Sequence, residues 1–252
     1  MEQSAAGKKI FILYPHSVIQ DELLDILIMA GFESYILYDH KRALKLLEMF
    51  PDSIMFINID DGMNEKEWES YIMGIMENPK TKECRLGILS YNTDQQLMQK
   101  YLMEIAVPCG YIQLKLGVRE STKIMLGALE ANEARGRRRS IRADCGDDLN
   151  ATLNYRGDSG FYHGKIMDIS SAGVTARMDR FDTVPLNTVL RGVQLKLRGG
   201  LFYSDMIFMG KRKDSKNIYI MLFDPKIQQE NKMVIIRYIK MNLQKYIDSL
   251  KL

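Results

Sequence analysis

The chain has 252 residues, enough for two domains of ordinary size, since one domain per about 150 residues is usual. Hydrophobic residues make up 46% of the sequence, which supplies material for two cores. The net charge of +3 is too small to indicate a general coat for nucleic acids or membrane surfaces.

The first half alternates between strand-like and helix-like patterns from residue 8 to residue 134. Apolar, β-rich runs predict five strands, at residues 10–14, 34–38, 53–60, 86–90 and 111–115. Apolar residues at helical spacing predict the intervening helices, at residues 18–30, 41–49, 65–76, 93–105 and 120–135. Five such units in succession predict an α/β domain, a parallel sheet sandwiched by helices.

Beyond Cys145 the period changes from helical spacing to strand alternation. Six strands are predicted, at residues 151–156, 164–169, 174–178, 193–198, 202–210 and 218–222, with turn signals between them. A small antiparallel barrel is the expected all-β arrangement, because closing the sheet removes its exposed edges. An amphipathic helix at about residues 228–250 ends the chain, and its apolar stripe suits either packing on the barrel or a homodimer contact.

Two short motifs carry the chemistry of the second half. The first has Arg138 and Arg142 four residues apart, and the second, Asp168-Ile-Ser170-Ser-Ala-Gly173, has the form Asp-x-Ser-x-x-Gly. A guanidinium matches guanine O6 and N7, and also phosphate, with paired donors. Aspartate and serine accept hydrogen bonds from guanine N1 and N2, and glycine permits a tight backbone. These residue types are the ones that a guanine nucleotide with phosphates requires.

In this order, and next to a run of short strands, the two motifs resemble the PilZ domain, a family known as a receptor for the bacterial messenger cyclic di-GMP. The resemblance covers about residues 135–252 and implies a six-stranded antiparallel barrel with a terminal helix. It further implies that six residues bind cyclic di-GMP: Arg137, Arg138, Arg142, Asp168, Ser170 and Gly173. In this family an arginine at the position of Arg137 is associated with a stacked ligand dimer, and we expect that stoichiometry.

The first half resembles the receiver domain of two-component response regulators, which has a flavodoxin-like fold. Ser90 closes the fourth predicted strand, where receivers keep Ser or Thr, and Lys115 closes the fifth, where they keep a lysine. The acidic pair that holds Mg²⁺ in receivers is missing from residues 14–17. The phospho-acceptor position falls on Ile57 or, with a slip of one residue, on Asn58.

Asp60 and Asp61 lie just beyond that position, but phosphoryl transfer requires Mg²⁺ held by several oxygens near the acceptor. We therefore expect a receiver-like domain that has lost aspartyl phosphorylation and serves as an interaction module for a protein partner.

The predicted domains are residues 1–134 and 135–252. The second is divided into an arginine-rich arm (135–144), a barrel (145–226) and a helix (227–252). Residues 133–140 should be mobile without ligand, because like charges repel and little apolar surface holds them. Binding of cyclic di-GMP is then expected to order this arm, change the domain arrangement and signal to a partner.

Several other classes of function are disfavoured. Cys84, Cys109 and Cys145 have no metal-ligand spacing and are expected to be free thiols in a reducing cytoplasm. The sequence has neither a signal peptide nor a membrane-spanning run, so we expect a soluble, cytoplasmic protein. Without a catalytic triad, a phosphate-binding loop or a metal motif, we expect no enzyme and no cofactor beyond the ligand.

Three alternatives remain open from the sequence. The arginines could form a solvated linker and the second motif an ordinary turn. They could instead form a nucleic-acid arm, although no aromatic residues interleave and no basic recognition helix follows. The protein could also be a working response regulator phosphorylated on Asp60 or Asp61, with the barrel as its output.

Overall fold

The computed structural model describes residues 7–252 except 182, 183, 199, 213, 214 and 216. Contacts divide it into two compact units. The first unit comprises the described residues up to Arg139 together with Leu243–Leu252, and the second comprises Ser140–Asn242. This division differs from the predicted domains, because residues 135–139 and the end of the last helix group with the first unit.

In the first unit, the described residues form a five-stranded parallel sheet in the order β2-β1-β3-β4-β5. The strands are β1 (Lys9–Leu13), β2 (Ser34–Leu37), β3 (Ser53–Asn58), β4 (Arg85–Ser90) and β5 (Tyr111–Gln113). The helices are α1 (Gln20–Met29), α2 (His40–Met49), α3 (Glu65–Glu77), α4 (Gln95–Gln99) and α5 (Val118–Ala131). The predicted receiver-like parallel sheet with intervening helices is confirmed.

Burial explains why the central strands are continuous apolar runs. Every residue of β3 is buried, and so are the last four of β1, because neighbouring strands and helices cover them on all sides. Two strand ends differ from the predicted ones by two residues. β3 stops at Asn58 rather than at residue 60, and β5 stops before Lys115, which lies in the 3₁₀ turn Leu114–Leu116.

The second unit is built on antiparallel strands. They are β6 (Arg142–Asp144), β7 (Thr152–Gly157), β8 (Gly160–Ser170), β9 (Gly173–Met178), β10 (Val189–Leu197), β11 (Gly200–Lys211) and β12 (Ile218–Phe223). The sheet order is β6-β8-β7-β10-β11-β12-β9, and pairing of β8 with β9 closes a six-stranded barrel. The predicted barrel is confirmed. The short strand β6 was missed by the sequence analysis, and it pairs outside the ring with β8.

Alternating apolar residues fill the barrel, among them the fully buried Leu153, Ile166 and Leu195. The part of the final helix α6 (Gln229–Ser249) that belongs to the second unit is held there by Tyr238, whose hydroxyl donates to Asp148 at 2.9 Å. In the part of the chain that the structure describes, no helix combines the length and the apolar character needed to cross a membrane.

Candidate functional site

Strand pairing places three of the predicted site residues on one outer face of the barrel. Arg142 on β6 is opposite Ser170 on β8, and Asp144 is opposite Asp168. Ala143 and Ile169 lie between these pairs and point into the core, where both are buried. The side chains of Arg142, Asp168 and Ser170 therefore share the outer side of the barrel, as the period of two requires.

The guanidinium of Arg142 and the carboxylate of Asp168 form a loose ion pair. Arg142 Nη1 is 3.7 Å from Asp168 Oδ1, and the two side chains are 48% and 24% exposed. At this distance and exposure the pair contributes little to stability. Both groups thus remain accessible, one as a donor fork and the other as an acceptor.

A bulge in β8 determines the direction of Asp168. Ile166 pairs with Ala176 and Asp168 pairs with Thr175, so Met167 is an extra residue in β8. Without this bulge, the side chain of Asp168 would lie on the same side of β8 as that of the buried Ile166 and would point inward. Bulges of this kind redirect side chains near functional sites.

The hydroxyl of Ser170 closes the turn between β8 and β9. It accepts a hydrogen bond from the backbone N–H of Ala172 at 3.2 Å and donates to the carbonyl of Gly173 at 3.3 Å. Ser170 is 7% exposed. In this structure its main role is to fix the turn next to Asp168.

Gly173 on β9 lies opposite Leu222 on β12 and close to its backbone. A β-carbon at this position would be 2.2 Å from the carbonyl oxygen of Met221 and 2.8 Å from Cα of Leu222. Both contacts are with backbone atoms, which cannot move aside as a flexible side chain would. Glycine at this position is thus required by the small distance between β9 and β12, and its part in ligand binding stays a prediction.

Arg137 and Arg138 are exposed and precede β6 in the connecting segment, which groups with the first unit. The structure thus brings together four of the six predicted residues, Arg142, Asp168, Ser170 and Gly173, within the second unit. Arg137 and Arg138 belong to the segment before it.

The segment that begins the predicted arm forms hydrogen bonds with other residues of the first unit. The backbone N–H of Lys8 donates to Ala134 O at 3.0 Å, and Arg135 Nη1 donates to Ala30 O at 2.7 Å. The Arg135 guanidinium also lies over the ring of Phe32, 4.8 Å from its centroid. These contacts attach the first residues of the segment 133–140 to the first unit, while the mobility expected for the segment without ligand stays a prediction.

Sequence reasoning missed one residue of this face, Thr175. Its hydroxyl donates to Asp168 Oδ2 at 2.6 Å, and Thr175 is 5% exposed. The available signal was its spacing, since Thr175 lies two residues after Gly173 on the predicted strand that follows the motif. That signal is weak without the strand register.

At the carboxyl edge of the parallel sheet, Asp60 follows the end of β3 and accepts hydrogen bonds from residues at the end of β4. Ser90 donates its hydroxyl to Asp60 Oδ1 at 2.5 Å, and the backbone N–H of Tyr91 donates to Oδ2 at 2.6 Å. Asn58 ends β3, and its amide donates to the carbonyl of Tyr14 at 2.8 Å. Of the two predicted acceptor positions, Ile57 is completely buried and Asn58 is the one at the strand end.

Among the described residues, no group of three or more His, Cys, Asp or Glu side chains is placed to hold a metal ion. The three cysteines are all buried and unpaired. Burial raises the pKa of Cys145, which directly follows β6, to about 12.

Comparison with known proteins gives structural likenesses for both units. No protein-family model matches the sequence, and no curated protein matches it. The PilZ domain of YcgR from Escherichia coli, solved with c-di-GMP, is 14% identical with a TM-score of 0.37, covering 45% of this chain and 99% of that one. MrkH of K. pneumonia, solved as its c-di-GMP complex, is 19% identical with a TM-score of 0.34, covering 41% of this chain.

The chain spans about half the length of that MrkH structure, 51%. For the first unit, the signal receiver domain of an HD domain-containing protein from Pseudomonas fluorescens Pf-5 is 17% identical with a TM-score of 0.41, covering 50% of this chain and 97% of that one. The architecture of the two units rests on their own topology, a five-stranded parallel sheet in the first and a six-stranded antiparallel barrel in the second.

Proposed function

We propose that this protein is a cyclic di-GMP-binding effector without catalytic activity of its own. The observation that carries the proposal is the outer barrel face on which Arg142 lies opposite Ser170 and 3.7 Å from the carboxylate of Asp168. The close approach of β9 to β12 at Gly173 borders this face. The face combines a donor fork with an acceptor in a half-exposed position.

The chemistry of this face suits a guanine nucleotide with phosphates. The Asp168 carboxylate has two oxygens, which accept hydrogen bonds from the N1 and N2 hydrogens of one guanine. The Arg142 guanidinium is able to bind O6 and N7 of a guanine or a phosphate oxygen pair. Adenine has neither an N1 hydrogen nor O6, so the same face discriminates against adenine nucleotides.

Arg137 and Arg138 are proposed to join the site from the connecting segment when ligand is present. Contacts that exist only in the bound state give the ligand a higher affinity for that state, which is what shifts a conformational equilibrium. Ordering of this segment is then the signal to a partner protein. Identical small-angle scattering profiles with and without saturating ligand would contradict this step.

The proposal is tested by calorimetric titration of cyclic di-GMP into the wild-type protein and an Arg138→Ala variant. Loss of charge-assisted hydrogen bonds worth about 1.5–3 kcal/mol should weaken binding roughly tenfold to a hundredfold. Arg191→Ala is the matched control, because Arg191 is an exposed arginine on β10, outside the site, and should leave affinity unchanged.

Cyclic di-AMP is the control ligand and should not bind measurably. Two cyclic di-GMP molecules per chain would support the expected stacked dimer and the role of Arg137. Absence of binding by the wild-type protein, or equal binding of both dinucleotides, would refute the proposal.

The first unit is proposed to act as an interaction module rather than as a phosphoryl acceptor. Both carboxylate oxygens of Asp60 already accept hydrogen bonds, and an amide, Asn58, occupies the end of β3. Covalent incorporation of phosphate from acetyl phosphate and Mg²⁺ at Asp60 or Asp61 would overturn this view.

A further inference from the structure

We infer that Thr175 is a positioning residue for guanine recognition, acting through Asp168. This inference rests on the proposed function, since it assigns a role within the same site. Thr175 lies opposite Asp168 in the β8–β9 pairing, next to the bulge at Met167. Its hydroxyl donates to Asp168 Oδ2 at 2.6 Å, a short distance typical of hydrogen bonds to ionised carboxylates.

The bond fixes the rotation of the carboxylate. Asp168 Oδ1 faces Arg142 only in a loose ion pair, whereas Oδ2 accepts the short hydrogen bond from Thr175, so Thr175 is the main constraint on the carboxylate plane. A guanine edge presents N1–H and N2–H in one plane, and both are bound well only by a carboxylate in the matching orientation. Oδ2 keeps a lone pair for the ligand while it accepts from Thr175.

Burial holds the side chain of Thr175 in place more firmly than that of Asp168. Thr175 is 5% exposed, whereas the Asp168 side chain is 24% exposed, so the threonine is held by the barrel and the aspartate is available to ligand. The β-branched side chain also has few rotamers, which limits the positions of its hydroxyl. Thr175 therefore orients Asp168 without itself needing to touch the nucleotide.

The test compares Thr175→Val with Thr175→Ser in the full chain. Valine keeps the shape and removes the hydroxyl, whereas serine keeps the hydroxyl. Thr175→Val should weaken cyclic di-GMP binding about tenfold, the effect of one hydrogen bond to a charged group. Thr175→Ser should restore affinity to within about threefold of wild type. Thr152→Val on β7 is the matched control and should change nothing.

A second ligand separates positioning from a general loss of structure. Cyclic di-inosine monophosphate lacks the N2 amino group, so it makes one bond fewer to the Asp168 carboxylate. Its affinity should fall by a smaller factor in Thr175→Val than that of cyclic di-GMP does. Equal factors for both ligands, unchanged cyclic di-GMP affinity in Thr175→Val, or no rescue by Thr175→Ser would overturn the inference while leaving the proposed function standing. Absence of cyclic di-GMP binding by the wild-type protein would instead refute the proposed function and this role with it.

Discussion

At the residue scale, the lack of a side chain at Gly173 allows β9 and β12 to pack closely. The nearest atoms to a β-carbon there belong to the backbone of Met221 and Leu222, at 2.2 and 2.8 Å. Gly127 on α5 is the opposite case, because a β-carbon there meets nothing within 4 Å. A β-carbon therefore fits at Gly127 but not at Gly173, and alanine substitution at the two positions should have opposite effects on stability.

We predict that Gly173→Ala destabilises the barrel by about 2–3 kcal/mol, because overpacking against backbone forces the strands apart. Gly127→Ala should stabilise the protein by about 0.5–1 kcal/mol, since glycine in a helix is less favourable than alanine. Urea denaturation followed by circular dichroism measures both. Equal stabilities of Gly173→Ala and wild type would show that the β9–β12 distance is not limiting.

At the element scale, the last turns of α6 complete the first unit. Strand β2 is an edge of the parallel sheet. The Gln244 side chain forms hydrogen bonds with both the backbone N–H and the backbone carbonyl of Ile36 on this strand. Gln244 Oε1 accepts from the Ile36 N–H at 3.0 Å, and Nε2 donates to the Ile36 carbonyl at 2.9 Å. Arg42 on α2 binds the backbone carbonyl of Ile247 at 2.7 Å, which caps the helix end. The edge is thereby protected from pairing with another strand.

Gln244→Ala should therefore expose the Ile36 amide. We expect its hydrogen exchange to accelerate about fivefold, the effect of losing a hydrogen bond worth about 1 kcal/mol in a locally opening strand. Residue-resolved exchange measured by NMR checks this. Lys245→Ala, a change at the neighbouring exposed position, should leave the Ile36 rate as it is. An unaltered rate in Gln244→Ala would mean that this side chain does not protect the edge.

At the scale of the whole molecule, each unit has at least one buried thiol. Cys84 and Cys109 lie in the first unit, and Cys145 lies in the second. Burial raises the pKa of all three thiols, to about 11 for Cys109 and about 12 for Cys145. The thiolate is the reactive form, so the folded protein holds these groups in the inert state.

At pH 8 we expect iodoacetamide to modify almost none of the three thiols in the folded protein and all three in denaturant, as counted by mass spectrometry. Because the folded-state pKa values lie above the usual value of about 8.5, these groups favour the folded state below that pH. This contribution to the free energy of unfolding is lost as the pH rises from about 9 towards 12, because the thiols of the unfolded chain lose their protons at a lower pH than those of the folded protein. Rapid native labelling of Cys145 at pH 8 would contradict its burial beside β6.

Much of the architecture was predictable because it depends on local pattern. Apolar runs and helical spacing identified the five β-α units, and period-two alternation identified the barrel strands. Strand β6 was missed because its three residues follow an arginine cluster and are too few for alternation to be visible. The end of β5 before Lys115 was also missed, since a 3₁₀ turn has no distinct apolar period.

The sequence by itself determined the two architectures and the residue types of the candidate site, because hydrophobic period and motif spacing are local properties. Only the tertiary structure decided that Asp168 points outward, since this depends on a bulge that is visible only in the pairing of β8 with β9. It also decided the partnership of Asp168 with Thr175 and the need for glycine at position 173. These features arise from contacts between strands, and the distance between two strands is not encoded in the pattern of either one.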